Sequence, residues 1–299
     1  MVTNASIHPV TEGRVAANGV DFAYLECGEG PLALCLHGFP DTARSWRHLL
    51  PALAGAGFRA VAPWMRGYAP TQVPSDGHYQ TGALATDACR LHEALGGDKD
   101  AVIVGHDWGA FATYGAAALE PERWRKVVTM AVPPAVALMG GMLSPAQLKR
   151  SWYIWFFQMA GLPEMIVPGN DFEVIAQLWA DWSPGHDGAE DVANVAAALG
   201  TPKNLAAALG YYRAMFDASG HDPALASAQA ATQVPTPQPT LYLHGADDGC
   251  LGVEMVTDMV MAGLPAEGSR YEIVPGVGHF LQVEQPDVVN ALIVDFLTS

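Results

Sequence analysis

Six short apolar runs, each ending in a loop rich in glycine, proline or polar residues, constrain this chain more than any other feature. They are PLALCLHGFP from residue 31, FRAVAPWMRG from 58, AVIVGHDWG from 101, KVVTMAVPP from 126, TLYLHGADDG from 240 and YEIVPGVGH from 271. A run without polar alternation suits a strand covered on both faces, and such strands belong to parallel sheets flanked by helices. Helical stretches at 79–95 and 109–119 fall between the runs, so the pattern predicts an α/β protein with a mostly parallel sheet. Ahead of them, residues 14–28 (RVAANGVDFAYLECG) alternate around Asn18-Gly19, a strong signal for a β-hairpin.

The rhythm breaks after Pro134. To about residue 231 the chain reads as helical, rich in Ala, Trp, Tyr and Met, with Gly/Pro interruptions near 161–163, 168–169 and 183–185. QVPTPQPT then makes a stiff return to a strand. A second independent domain is the weaker reading, because the two late strands need the early ones to complete a core. The expected organisation is one core formed by 1–134 and 233–299, with 135–232 inserted as a helical cap.

Half of the 299 residues are hydrophobic and 15% are charged, a globular composition. The net charge of −16 repels phosphate and anionic lipid, so neither nucleic acid nor a membrane is expected as a partner. The opening MVTNASIHPVTEGRV has no basic segment leading into an apolar run, and no stretch of ~20 apolar residues follows. Cys27, Cys35, Cys89 and Cys250 are widely spaced without a CxxC pair, which suggests buried thiols in a reducing compartment and a cytoplasmic location. There is no HExxH and no phosphate-cradling glycine loop, so neither a metal nor a cofactor is expected. Oligomeric state is left open, a homo-oligomer included.

The chemistry concentrates at strand ends. Gly105-His106-Asp107-Trp108-Gly109-Ala110 follows the run at 101–104 and precedes a helical stretch. This is a nucleophile-elbow pattern with aspartate at the reactive position. The turn is sharp enough that only small residues fit around it, and it aims the first N–H groups of the helix at the reacting centre. An Asp capping a helix is the competing reading. His37-Gly38-Phe39-Pro40 ends the run before it, and the N–H groups of Phe39 and Trp108 are candidates for an oxyanion hole. His37, His106 and His244 read as structural. The late runs end in Gly245-Ala246-Asp247-Asp248-Gly249 and Gly276-Val277-Gly278-His279-Phe280, giving the chain order nucleophile, acid, histidine. Either Asp247 or Asp248 fits the acid.

These motifs resemble the epoxide hydrolase branch of the α/β-hydrolase superfamily, from about residue 14 to the end. The resemblance implies an α/β-hydrolase fold with an inserted cap. It favours Asp248 as the acid, three residues after the glycine. It also implies two cap tyrosines that grip an epoxide oxygen: Tyr153 in Trp152-Tyr153-Ile154-Trp155-Phe156-Phe157-Gln158, and Tyr212 in Tyr211-Tyr212-Arg213. Phe39, Trp108, Trp152, Trp155 and Phe156 are then candidates for an aromatic pocket around a small apolar epoxide.

A carboxylate nucleophile also selects its electrophile. Attack on an ester gives a high-energy anhydride, whereas attack on an sp³ carbon gives an ordinary alkyl ester. The expected reaction is epoxide opening by Asp107, then ester hydrolysis by water that His279 and Asp248 activate. Haloalkane dehalogenation is the alternative, since those enzymes share the Asp elbow and its Trp; one major group of them has Asn after HG where this chain has Phe39. Haloacetate dehalogenases carry Arg where Trp108 stands. A non-catalytic binder on the same fold fits less well with a complete triad.

Overall fold

A computed structural model describes residues 9–299; the first eight residues of the opening segment lie outside the described residues. Strands β1 (Thr11–Ala17) and β2 (Val20–Cys27) form the expected hairpin, with Ala17 paired to Val20. Asn18 and Gly19 both have positive φ, 46° and 72°, as a two-residue turn of matching twist requires.

The apolar runs become β3 (Leu32–Leu36), β4 (Arg59–Pro63), β5 (Val102–His106), β6 (Lys126–Met130), β7 (Thr240–Gly245) and β8 (Arg270–Val274). All eight strands form one sheet in the order β1-β2-β4-β3-β5-β6-β7-β8. β1, β2 and β4 pair antiparallel, and every pairing from β4 to β8 is parallel. Every residue of β3, β5 and β7 is buried, so their continuous apolar runs are covered on both faces. Helices α1 (Leu49–Gly55), α2 (Thr81–Ala94) and α3 (Trp108–Leu119) supply part of that cover. This is the mostly parallel α/β sheet that the strand–helix rhythm predicts, in the α/β-hydrolase arrangement that the resemblance implies.

Between β6 and β7 come α4 (Ala135–Gly141), α5 (Pro145–Arg150), α6 (Trp152–Phe156), α7 (Leu162–Ile166), α8 (Gly169–Trp182), α9 (Ala189–Leu199), α10 (Pro202–Phe216) and α11 (Ala226–Ala231). The last of these packs on α2 and α3 in the sheet's own helix layer. The chain closes with α12 (Met259–Ala262), α13 (Leu281–Glu284) and α14 (Pro286–Thr298). Among the described residues no helix is long and apolar enough to cross a membrane.

A buried ion pair fixes the loop after β4 and, through it, α10. Arg66 is 1% exposed and meets both oxygens of Asp87 on α2, at 2.5 and 2.8 Å. Its backbone oxygen accepts from the Tyr211 hydroxyl at 2.8 Å, which sets the helix carrying Tyr212. Asp87→Ala leaves the guanidinium buried against fewer acceptors, and a lost partner in such a pair costs ~3–5 kcal/mol. Urea unfolding should show that loss, with Asp87→Asn intermediate; a wild-type midpoint for Asp87→Ala would remove this pair as an anchor.

Candidate active site

The elbow forms because its neighbours are small. Asp107 has φ 52° and ψ −117°, a backbone state rare for a residue with a side chain. A Cβ on Gly109 would sit 2.0 Å from the Leu36 oxygen, and one on Gly38 would sit 2.2 Å from Asp107 Oδ1. The glycines therefore let β3, the loop after it and the start of α3 close on the carboxylate. The Phe39 N–H donates to Asp107 Oδ1 at 2.7 Å, and the Trp108 N–H also favours the carboxylate. Both predicted oxyanion donors thus reach the Asp107 carboxylate. Phe39 and Trp108 are both buried.

His279 lies at the end of the loop after β8, wholly buried. Its Nδ1 is 2.9 Å from Asp248 Oδ2, and its Nε2 faces Asp107 Oδ2 at 3.9 Å. Nε2 is buried without a well-formed hydrogen bond. Asp248 is buried, and its other oxygen accepts from the N–H groups of Cys250 and Leu251 at 2.7 and 2.9 Å. Asp247 is exposed, and only its backbone N–H reaches inward, to the Val277 oxygen. The three-residue spacing from Gly245 thus places Asp248 beside the histidine.

Burial and charge pull these groups apart. Burial is the main influence on Asp107 and raises its carboxyl above the usual range, against the pull of His279, His106 and the two N–H donors. Asp248 is equally buried, but the charge and hydrogen bond of His279 together outweigh burial and hold it low. His279 is held well above its ordinary value by Asp248, although burial alone would lower it.

The other histidines are braces. Burial drops His37 to about 4, so its Nε2 stays neutral and accepts the Met65 N–H at 3.0 Å. His106 Nε2 meets the backbone oxygen of His279 at 2.9 Å. His244 bridges the Tyr242 hydroxyl and the Leu251 oxygen.

A further brace had no sequence signal of its own. The C-terminal end of α8 reaches down to the triad, where the Trp182 oxygen accepts from the N–H groups of both Gly249 and His279. Ser183 Oγ also accepts from the His279 N–H, at 3.1 Å. A Cβ on Gly278 would lie 2.5 Å from the Trp182 oxygen, so this contact needs the glycine. One helix end thereby holds the acid turn and the histidine loop together, and its free carbonyl is satisfied by them.

Tyr153 and Tyr212 are 3% and 2% exposed, and their rings meet edge to face at 5.7 Å. Both line a cavity of about 40 Å³ with Asp107 and Trp108. The Tyr212 hydroxyl is buried without a well-formed hydrogen bond, while that of Tyr153 meets Cys250 Sγ at 3.3 Å. Burial raises both phenols well above their usual range, so they stay protonated.

Of the predicted pocket residues Trp108 lines this cavity, whereas Phe39, whose ring packs behind on Tyr212, and Trp152, Trp155 and Phe156 do not, which corrects the expectation that they line it. On α6, Trp152 and Trp155 are 44% and 45% exposed, and Phe156 packs on Trp152 and Phe157. The lining comes instead from Phe111, Leu138, Met215 and Cys250, among others. Behind Trp108, Phe111, Leu138 and Met215 lies a second cavity of about 240 Å³. A larger groove of about 580 Å³ between α8 and α9 contains none of the triad.

An eight-stranded sheet with a carboxylate elbow, a late acid and a late histidine defines the α/β-hydrolase class, and the model of the α/β-hydrolase fold matches residues 31–286. The chain belongs to that family and, within it, to the epoxide hydrolase branch. It is 33% identical to Epoxide hydrolase 4 of Homo sapiens over 95% of this chain and 77% of the relative. It is 31% identical to Epoxide hydrolase A of Mycobacterium tuberculosis, covering 97% of this chain and 98% of the relative. The crystal structure of Epoxide Hydrolase A from Mycobacterium thermoresistibile superposes with a TM-score of 0.79 at 28% identity, covering 97% and 98% of the two chains.

Proposed function

We propose that this chain hydrolyses small apolar epoxides to vicinal diols through a covalent ester on Asp107. The observation that carries this reading is one small cavity shared by a buried carboxylate and two buried tyrosine side chains. In the first step Asp107 Oδ2 attacks an epoxide carbon and the C–O bond breaks. The developing alkoxide takes hydrogen bonds, then a proton, from Tyr153 and Tyr212. In the second step His279 Nε2 takes a proton from water, and the resulting hydroxide adds to the ester carbon. Negative charge then builds on Oδ1, which the Phe39 N–H meets, with the Trp108 N–H also directed at the carboxylate. On collapse the His279 proton goes to the departing alkoxide and releases the diol, and the proton left on the Asp107 carboxyl returns to the phenolate, restoring carboxylate and phenol.

Residues 135–232 act as the cap in this scheme, because α6 and α10 supply the two phenols; its last helix, α11, packs with the sheet layer. A cavity of about 40 Å³ holds little more than a water, whose share of liquid volume is ~30 Å³. Leu138 and Met215 line both this cavity and the second one, so they stand between the two. The four cysteines are buried and none is paired in a disulfide, which fits a reducing, cytoplasmic setting.

Turnover of an epoxide panel, with haloalkanes and a p-nitrophenyl ester as controls, tests the reading. A halide needs no proton on leaving, so the phenols separate it from the dehalogenase alternative. Tyr153→Phe or Tyr212→Phe should each slow alkylation by ~10-fold or more, and the double change should nearly abolish it. Rapid-quench measurement of ester formation checks this. A double variant at wild-type rate would remove the tyrosines from the reaction, and haloalkane turnover would then favour the alternative.

A further inference from the structure

We infer that Cys250, His279 and Asp248 form a binding site for a borderline-soft divalent cation, zinc above all, and that its occupancy switches the triad off. The three side chains are buried, and each offers a ligand atom within 4.8 Å of the other two. No other group of three such side chains is brought together among the described residues. The donors are one sulfur, one nitrogen and one oxygen, a set that suits zinc and not magnesium or calcium.

Zinc holds sulfur at ~2.3 Å and nitrogen or oxygen at ~2.0–2.2 Å, so tetrahedral ligands lie roughly 3.3–3.8 Å apart. His279 Nδ1 and Asp248 Oδ2, 2.9 Å apart, would open a little and the sulfur would close from within 4.8 Å, shifts of about an ångström or less. The site is braced for that. Asp248 Oδ1 is pinned by two backbone N–H groups, and the His279 backbone is held by Trp182 and Ser183. The nitrogen on the Asp248 side is Nδ1, so a cation there leaves Nε2 to carry the imidazole proton toward Asp107 Oδ2, 3.9 Å away. Cys250 lines the cavity at Asp107, so a cation reaches the thiol by the route that substrate takes.

Coordination releases the thiol proton to solvent and occupies an imidazole lone pair. His279 then accepts no proton from water. Sγ also leaves the Tyr153 hydroxyl that it meets at 3.3 Å. The inhibitory consequence rests on the epoxide reading, whereas the binding site itself does not.

Cobalt, a spectroscopic stand-in for zinc, tests the site without turnover. One cobalt per chain should give a near-ultraviolet sulfur-to-metal charge-transfer band and tetrahedral d–d bands, both removed by added zinc. Cys250→Val should lose the charge-transfer band and bind zinc ~100-fold or more weakly, beyond the 10–100-fold that losing a supporting partner costs. If the Val variant does not fold, Cys250→Ser serves, since a hydroxyl gives no such band. In the wild-type chain zinc should inhibit epoxide turnover and a chelator should restore it. Cobalt bound without a charge-transfer band, as on an acidic surface, or unchanged zinc affinity in the Cys250 variants, overturns the proposal. A clear band in a chain that turns over no epoxide would support the metal site and sink the epoxide reading.

Discussion

His279→Gln should open an epoxide once and then stop. Asp107 is already an anion, so its attack removes no proton from it, and that step survives loss of the histidine. Ester breakdown does need a base, because neutral water is a poor nucleophile. Intact mass spectrometry should find the protein heavier by one substrate mass, with steady turnover lost. Asp248→Asn should stall less completely, since the imidazole loses its partner anion but not its place at the end of β8. Asp247→Asn should be much milder, because that side chain is exposed. The pH profile follows from the same pair. Asp248 holds His279 well above its ordinary value near 6.5, so its free-base form is depleted as pH falls. Turnover limited by ester hydrolysis should therefore rise through the titration of His279 and fall on the acid side. An active His279→Gln enzyme, or one that never accumulates adduct, overturns this division of labour.

The parts of the site that the sequence reveals are those whose geometry is local. The elbow needs small residues at fixed offsets from Asp107, and the acid and histidine close late strands, so both leave patterns in the chain. Asp248 was separable from Asp247 only through the resemblance, because two adjacent aspartates at a strand end are equivalent until one turns inward. The pocket lining was less legible. Aromatic residues crowd α6, but its five residues cannot all face the cavity. Side chains four apart share a helix face, so Tyr153 and Phe157 point inward together while Trp152 and Phe156 pair on another side. That spacing was the available signal. Leu138 and Met215 come from α4 and α10, 77 positions apart in the numbering, and Cys250 read only as a buried thiol; nothing local marks them. The support from α8 is likewise non-local, since Trp182 and His279 meet only through the fold.

In a single turnover in ¹⁸O-water, the label should enter Asp107 and not the diol. The oxygen added to the epoxide carbon comes from the carboxylate, and water replaces it only when the ester is hydrolysed. Peptide mass analysis of the elbow segment checks this, and label appearing directly in the diol would mean that water attacks the epoxide itself. Asp107→Asn should lower turnover by ~10⁴-fold or more, as loss of a nucleophile does elsewhere, with no adduct in a first turnover. The same variant should melt no lower than the parent at neutral pH. Burial raises the Asp107 carboxyl, so the folded chain binds this proton more tightly than the unfolded chain does. Ionised at neutral pH, Asp107 therefore costs the fold stability, a cost that fades as pH falls through its raised value. Asparagine removes the charge and keeps an oxygen for the Phe39 and Trp108 N–H groups. An inactive enzyme that is as stable as its parent assigns the lost rate to chemistry. A melting temperature well below the parent's would show instead that the carboxylate holds the elbow together, against the direction its burial dictates.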